Sequence, residues 1–318
     1  KSEEKSYPDK PFITSSLQQC AQNSFGFPVK KTMSIAQKLY ENGKITYMRT
    51  DSTFISSEFQ ETIKDKITND YSLEYYQKYN VKAKKVKGAQ EAHECIRPTD
   101  INHELNDKWQ EIDKKLYNLI KKRTIISHMK PALYNVLNID LSNNNLEKIG
   151  IFRGKYKSLK YPGFLIYSNP DIKSEEEIKI PKNTIFKLEE SICKDIESLP
   201  PQYYNESSVV KQLELSGVGR PSTYASIVST LYNRNYTVVK DIESKEKQEP
   251  YCQLNRDDTI VSGCLTSKTP YQKKRILMTD LGQSVLAYLL QHFSDMICVD
   301  FTARVEQDLD LNKNKLNL

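Results

Sequence analysis

The sequence predicts an α+β chain of more than one domain, with mainly helical domains flanking an antiparallel β arch. Three observations carry this prediction. Apolar residues recur at helical spacing through the first 130 residues, the period changes to two between Leu133 and Phe186, and helical spacing returns beyond Pro200-Pro201. A length of 318 residues allows two or three domains. The expected division is 1–130 helical, 131–196 β-rich and 197–318 helical.

Taken in order, residues 1–10 are charged, contain Pro8 and read as a linker. Ser16 caps a short helix through Phe25. The next helix runs from Lys31 to Glu41 with Met33, Ala36, Leu39 and Tyr40 as its buried stripe. It ends at Asn42-Gly43, where glycine supplies the left-handed turn. Ile45–Arg49 then reads as a short strand, which projects Tyr47 and Arg49 to one face. Ser57 and Gln60 have capping-box spacing for a helix to about Asn69. Residues 70–90 read as loop, with a basic run at Lys82, Lys84, Lys85 and Lys87.

Trp109, Ile112, Leu116, Leu119 and Ile120 mark a strong helix over 109–126. Beyond Pro131 the expected strands are 136–141, 146–152, 164–167 and 178–180, with Ser142-Asn143-Asn144-Asn145 as a turn. Ser207–Leu215 is helical and ends near Gly217. Pro221-Ser222-Thr223 opens another helix whose apolar positions are Tyr224, Ile227, Val228 and Leu231. Residues 240–273 read as a loop or hairpin insertion. Thr279–Phe293 is the last clear helix, with Leu281, Val285, Leu286 and Leu289 on its core face.

Lys and Arg number 47 against 41 Asp and Glu, a net charge of +6. Such a mild excess suits a nucleic-acid partner without identifying one. No apolar run is long enough for a membrane span, and Lys-Ser-Glu-Glu-Lys is no signal peptide. Six cysteines stand at 20, 95, 193, 252, 264 and 298 without a Cys-x-x-Cys pair, which argues against a zinc ribbon and for reduced thiols.

Two stretches carry chemistry. Tyr47 beside Arg49 sets a phenol nucleophile next to a guanidinium that can clamp a phosphate. An ordinary edge strand with an exposed Tyr and Arg fits the same residues. Arg220, Ser222 and Thr223 surround a helix N-terminus, where free N–H groups and the helix dipole favour an anion. A plain Ser/Thr cap with no ligand fits there too. Gln37 and Glu41 lie four apart on one helix face just before Tyr47 and can equally be a solvent-facing pair.

The segment Ile45-Thr-Tyr-Met-Arg-Thr-Asp-Ser52 resembles the active-site signature of type IA DNA topoisomerases. Two further blocks are similar and stand in the family's order: Glu91-Ala-His-Glu-Cys-Ile-Arg-Pro-Thr99 and Gly217-Val-Gly-Arg-Pro-Ser-Thr-Tyr-Ala225. Pro11–Gln19 and Asp300-Phe-Thr-Ala303 fit as flanking segments, so the resemblance spans nearly the whole chain. It implies the toroidal architecture of that family. It makes Tyr47 the residue that attacks a DNA phosphate and holds the 5′ end, with Arg49 as the phosphate clamp. His93 is then placed to hydrogen-bond that phosphate or relay a proton, since histidine changes charge near neutrality, and Glu94 can orient it. Gln37 and Glu41 approach the cleavage site, and Arg220, Ser222 and Thr223 become a DNA-phosphate seat. Arg234 matches a DNA-contacting position, although Asn235 stands where the family has glycine. Asn tolerates left-handed backbone, so the turn survives the change.

The resemblance also implies Mg²⁺, held mainly by an N-terminal Toprim domain through an Asp-x-Asp-x-Glu cluster that this sequence lacks. Asp308-Leu309-Asp310 has half the spacing without a strand before it. No metal ligand is assigned in this chain. The sequence starts about where the family's central helical domain starts, which suggests a core segment. The expected partners are single-stranded and negatively supercoiled DNA. A monomer in an intracellular DNA-containing compartment is expected, with no membrane. Two other readings stay open: a non-catalytic module that binds single strands, and a tyrosine nuclease or relaxase, which the lack of a His-x-His cluster disfavours.

Overall fold

The structure, a computed structural model, describes residues 1–79, 93–142 and 151–313, with side chains to residue 309. The basic run at Lys82, Lys84, Lys85 and Lys87, and the turn at 143–145, lie outside the described residues. The chain forms two compact units, the first built on Lys1–Lys179 and the second on Ile180–Leu309, with the described residues from Asp310 on grouped with the first.

In the first unit, α1 (Thr14–Phe25), α2 (Val29–Glu41) and α4 (Glu111–Ile126) bury one core that includes Phe12, Leu17, Leu39, Leu116, Tyr117 and Ile120. A second cluster, with Ile55, Ile63, Ile67 and Ile101, lies under α3 (Ser57–Asp70). Helix starts shift slightly from expectation. Ser16 is inside α1, its hydroxyl accepting the Ile13 N–H at 3.0 Å, and Ser56 rather than Ser57 caps α3 through the Phe59 N–H at 3.3 Å. The end of α2 is as expected, with Gly43 at φ 65° and its N–H donating to the Tyr40 carbonyl.

The charged start is not a linker. Ser2–Ser6 forms β1, which pairs antiparallel with β2 (Ala132–Leu141), and β2 pairs with β3 (Phe152–Tyr161). Glu3 pairs with Lys160, and Glu4 with Lys155 and Lys157. Ladder hydrogen bonds and cross-strand charge pairs hold this edge strand without apolar alternation. The expected strand over 164–167 is a 3₁₀ turn, Gly163–Tyr167, and residues 178–180 form no strand.

The second unit is more open. A sheet of order β4-β6-β7 joins Glu190–Lys194, Glu246–Asn255 and Ile260–Lys268, all antiparallel. A ribbon pairs β5 (Thr237–Ile242) with β8 (Gln272–Met278). The insertion at 240–273 is thus built around a hairpin rather than a loop. Helices α5 (Glu206–Leu215), α6 (Tyr224–Asn233), α7 (Asp280–His292) and α8 (Val299–Lys313) up to Leu309 complete it. On α7 the expected core face is not buried: Leu281 and Leu286 are exposed. Tyr224 and Val228 on α6 are buried as their spacing predicts.

Candidate active site

Residues 45–50 are irregular backbone carrying a single bridge, Ile45 to Pro98, rather than the expected strand. Threonine hydroxyls replace the missing ladder. Thr46 donates its N–H to the Arg97 carbonyl at 2.9 Å and its hydroxyl to the Cys95 carbonyl at 2.6 Å. Thr14, at the start of α1, donates its hydroxyl to the Met48 carbonyl at 2.8 Å and accepts the Thr50 N–H at 2.9 Å. Ile45 and Met48 are each 1 % exposed and anchor the segment in the first core. Pinned this way, the segment leaves Tyr47 half-buried and Arg49 exposed.

Two aromatic rings meet Tyr47. The His93 ring centroid lies 5.6 Å away and the Tyr40 centroid 5.3 Å away, edge-on. Tyr40 therefore does not belong to the buried stripe of α2; it is 40 % exposed, and Ile35 fills the core instead. One turn before and one residue after Tyr40, the Gln37 amide donates to the Glu41 carboxylate at 2.7 Å on the outer face of α2.

Glu94 does not orient His93. Its carboxylate accepts the Ser56 N–H at 2.7 Å and the Arg97 Nε–H at 2.7 Å, while Arg97 stacks 3.7 Å over the Phe59 ring. Glu94 and Arg97 thus hold the His93 segment against α3. The Cys95 thiol is buried, and desolvation pushes its pKa far up, so it stays a neutral packing group.

In the second unit, the Gly217–Thr223 loop joins α5 to α6. Arg220 is ion-paired with Glu306 of α8 and donates to the Gly219 carbonyl at 2.8 Å. The other Glu306 oxygen accepts the Gly219 N–H at 2.9 Å. Thr223 accepts the Arg220 N–H at 2.8 Å, so its hydroxyl serves the loop, while Ser222 is exposed. Gly219 sits at φ 80°, where an added Cβ would meet Ile227 Cδ1 at 3.0 Å. Arg234 is exposed at the end of α6, and Asn235 has φ 55°, the left-handed turn expected of it.

Sequence reading missed Tyr40 and Glu306. Tyr40 was hidden because helical spacing also suits a core position. Glu306 carried one signal, its place three residues after Ala303 of the flanking block.

The phenol and imidazole rings lie in contact, and an exposed guanidinium two residues on can receive an anion. Among the described residues, no group of three or more His, Cys, Asp and Glu side chains is placed to hold a metal ion. They do not fit a Mg²⁺ set. Among them also, no helix is long and apolar enough to cross a membrane.

The family model described as DNA topoisomerase matches residues 1–272, and the chain belongs to that family, type IA. It is 38 % identical over 335 residues to a protein of Acanthamoeba polyphaga mimivirus named DNA topoisomerase 1 type prokaryotic, covering 95 % of this chain and 38 % of that protein. It is 37 % identical over 328 residues to DNA topoisomerase 1 of Rickettsia bellii, covering 98 % and 37 %. The structure of full-length topoisomerase I from Thermotoga maritima is similar with a TM-score of 0.71 and 32 % identity, over 97 % of this chain and 47 % of that one. The chain therefore spans less than half the length of these relatives.

Proposed function

We propose that the whole protein cleaves one DNA strand through Tyr47, passes a strand through the break and rejoins it, relaxing negative supercoils without ATP. The observation that carries this is the placement of Tyr47 against His93, on a loop pinned into the core on both sides. The Tyr47 oxygen attacks phosphorus and the bond to the 3′ oxygen breaks. The phenol proton leaves and the 3′ oxygen gains one. The 5′ phosphate stays on tyrosine, so the phosphodiester energy is kept for the reverse attack by the 3′ hydroxyl.

His93 hydrogen-bonds the phosphate or carries the proton, and Arg49 binds the phosphate and stabilises the charge that grows in the transition state. Gln37 and Glu41 face the cleavage site from α2. Arg220, Ser222, Thr223 and Arg234 hold the strand by its backbone, with residues 1–130 as the active-site domain, 131–196 as the arch and 197–318 as the gate. The substrates are single-stranded and negatively supercoiled DNA, the protein works as a monomer, and its place is a DNA-containing compartment of the cell. Magnesium dependence, general in the family, rests on ligands other than the residues described here.

The test is a Tyr47→Phe variant of the whole protein with a labelled single strand. We expect binding to persist and the denaturant-resistant protein–DNA adduct to vanish, because only the nucleophilic oxygen is removed. An adduct formed by the Phe variant would refute the assignment.

A further inference from the structure

Three of the six cysteines lie on one face of the β4-β6-β7 sheet. Cys193 of β4 is directly opposite Cys252 of β6, and Cys264 of β7 is opposite Pro250, two residues from Cys252 on the same face. All three are free and exposed. Side-chain contacts agree with this register: Ser262, opposite Cys252, donates its hydroxyl to the Cys252 sulfur at 3.7 Å, and Cys264 donates to Gln248 at 3.3 Å.

The kind of site follows from the ladder. The Asp195 N–H donates to the Pro250 carbonyl at 3.0 Å, which makes that pair hydrogen-bonded. Cys193 and Cys252 stand two residues along, at the same kind of site. Opposed residues there have Cα atoms about 5.5 Å apart, inside the range of about 4.4–6.8 Å that a disulfide spans. Cys264 is diagonal to Cys252, at about 7–8 Å, which is past the reach of a bridge without backbone movement. Side chains at a hydrogen-bonded site start farther apart than at its neighbour, so bridging must draw β4 inward. It can move, since it is a five-residue strand at the sheet edge. A bridge made under such tension is readily reduced again.

We infer that Cys193 and Cys252 are a thiol pair that closes reversibly by exchange with a small disulfide such as oxidised glutathione. The Cys193 thiolate attacks one sulfur of the small disulfide, forms a mixed disulfide and expels a thiolate, which takes up the proton Cys193 lost. The Cys252 thiolate then attacks the Cys193 sulfur and expels the second small thiolate, which takes the Cys252 proton. Two protein thiols are oxidised by two electrons, and one small disulfide is reduced to two thiols. The closed bridge ties off the segment that carries α5, the Gly217–Thr223 loop and α6. The inference stands apart from the topoisomerase reading, since it needs neither DNA nor Tyr47.

The test treats the 318-residue chain with oxidised glutathione, blocks remaining thiols and maps peptides by mass spectrometry without reduction. We expect one linked peptide, Cys193 to Cys252, with two of the six thiols lost and both restored by a dithiol reductant. The link should persist in Cys264→Ser and vanish in Cys193→Ser and in Cys252→Ser. Circular dichroism of the reduced variants checks that they fold. A link from Cys252 to Cys264, a bridge only between two chains, or mixed disulfides with no internal link would each overturn the inference.

Discussion

The Tyr47 segment and the Gly217–Thr223 loop are both irregular backbone, and they are held in opposite ways. The first is pinned by two core side chains, Ile45 and Met48, and by threonine hydroxyls reaching from α1 and from the loop itself. The second has little core beneath it: Tyr224 and Val228 are buried on α6, but Leu215 beside the loop is 71 % exposed. What fixes it is a polar latch, Glu306 holding both Arg220 and the Gly219 N–H. In the proposed reaction the attacking Tyr47 oxygen must be placed to a fraction of an ångström, which favours close packing around it. For the proposed task of gripping and releasing a DNA backbone, the second loop is better served by contacts that water and salt can exchange.

The contrast breaks most readily in the core. Met48→Ala should destabilise the first unit by about 2–5 kcal/mol, the cost of a buried large-to-small change. Leu281→Ala, on the exposed side of α7, should stay within about 0.5 kcal/mol. Urea unfolding followed by circular dichroism measures both. Equal losses would mean that α7 is as well packed as the Tyr47 loop.

A second difference is a buried histidine in the first unit that responds to acid. His128 is fully buried beside Tyr79, with Nδ1 near the Thr124 carbonyl and Nε2 without a hydrogen-bond partner among the described residues. Desolvation lowers its pKa to about 4. A folded-state value below the unfolded one gives stability that is present above the unfolded pKa and lost as pH falls toward the folded one. With an unfolded value near 6.5, the loss between about pH 7 and about pH 5 should be about 2 kcal/mol. His128→Gln should flatten that part of the curve. An unchanged acid limb would show that other groups set it.

Much of this was legible in the chain and some was not. Helical spacing found α2, α4 and α6, and Asn42-Gly43 marked the end of α2, because burial and capping leave local signatures. β1 was missed because its stability comes from partners more than a hundred residues away, Lys155, Lys157 and Lys160, and not from its own pattern. The Tyr47 strand was misread for a related reason: an alternating run predicts a ladder only where a neighbour strand exists, and here threonine hydroxyls take its place. The placement of His93 beside Tyr47 came from the resemblance alone, since no spacing links residues 47 and 93. Glu306 was missed because a latch between distant segments has no local sign beyond its place near the 300–303 block.

The latch can be sharpened through the backbone. Gly219→Ala places a Cβ at φ 80° and 3.0 Å from Ile227 Cδ1. It should cost the second unit about 1–2 kcal/mol, and weaken single-strand binding by distorting the Arg220 seat. Normal binding with lowered stability would leave the loop a structural task and remove its proposed grip on DNA.

The smallest effect distinguishes the two arginines of the second unit. Arg234 makes no ion pair among the described residues, whereas Arg220 is already paired with Glu306. Each cation that neutralises a phosphate of a single strand adds about 0.7 to the slope of log affinity against log salt. Arg234→Ala should therefore flatten the slope by about 0.7. Arg220→Ala should flatten it by less, because part of its charge is spent inside the protein before DNA arrives. It should nevertheless lower affinity at every salt concentration, since it strands the Glu306 carboxylate beside the incoming phosphate. Fluorescence anisotropy of a labelled single strand over a salt series decides the matter. Equal slope changes would show that the Arg220–Glu306 pair opens on binding and hands its full charge to the strand.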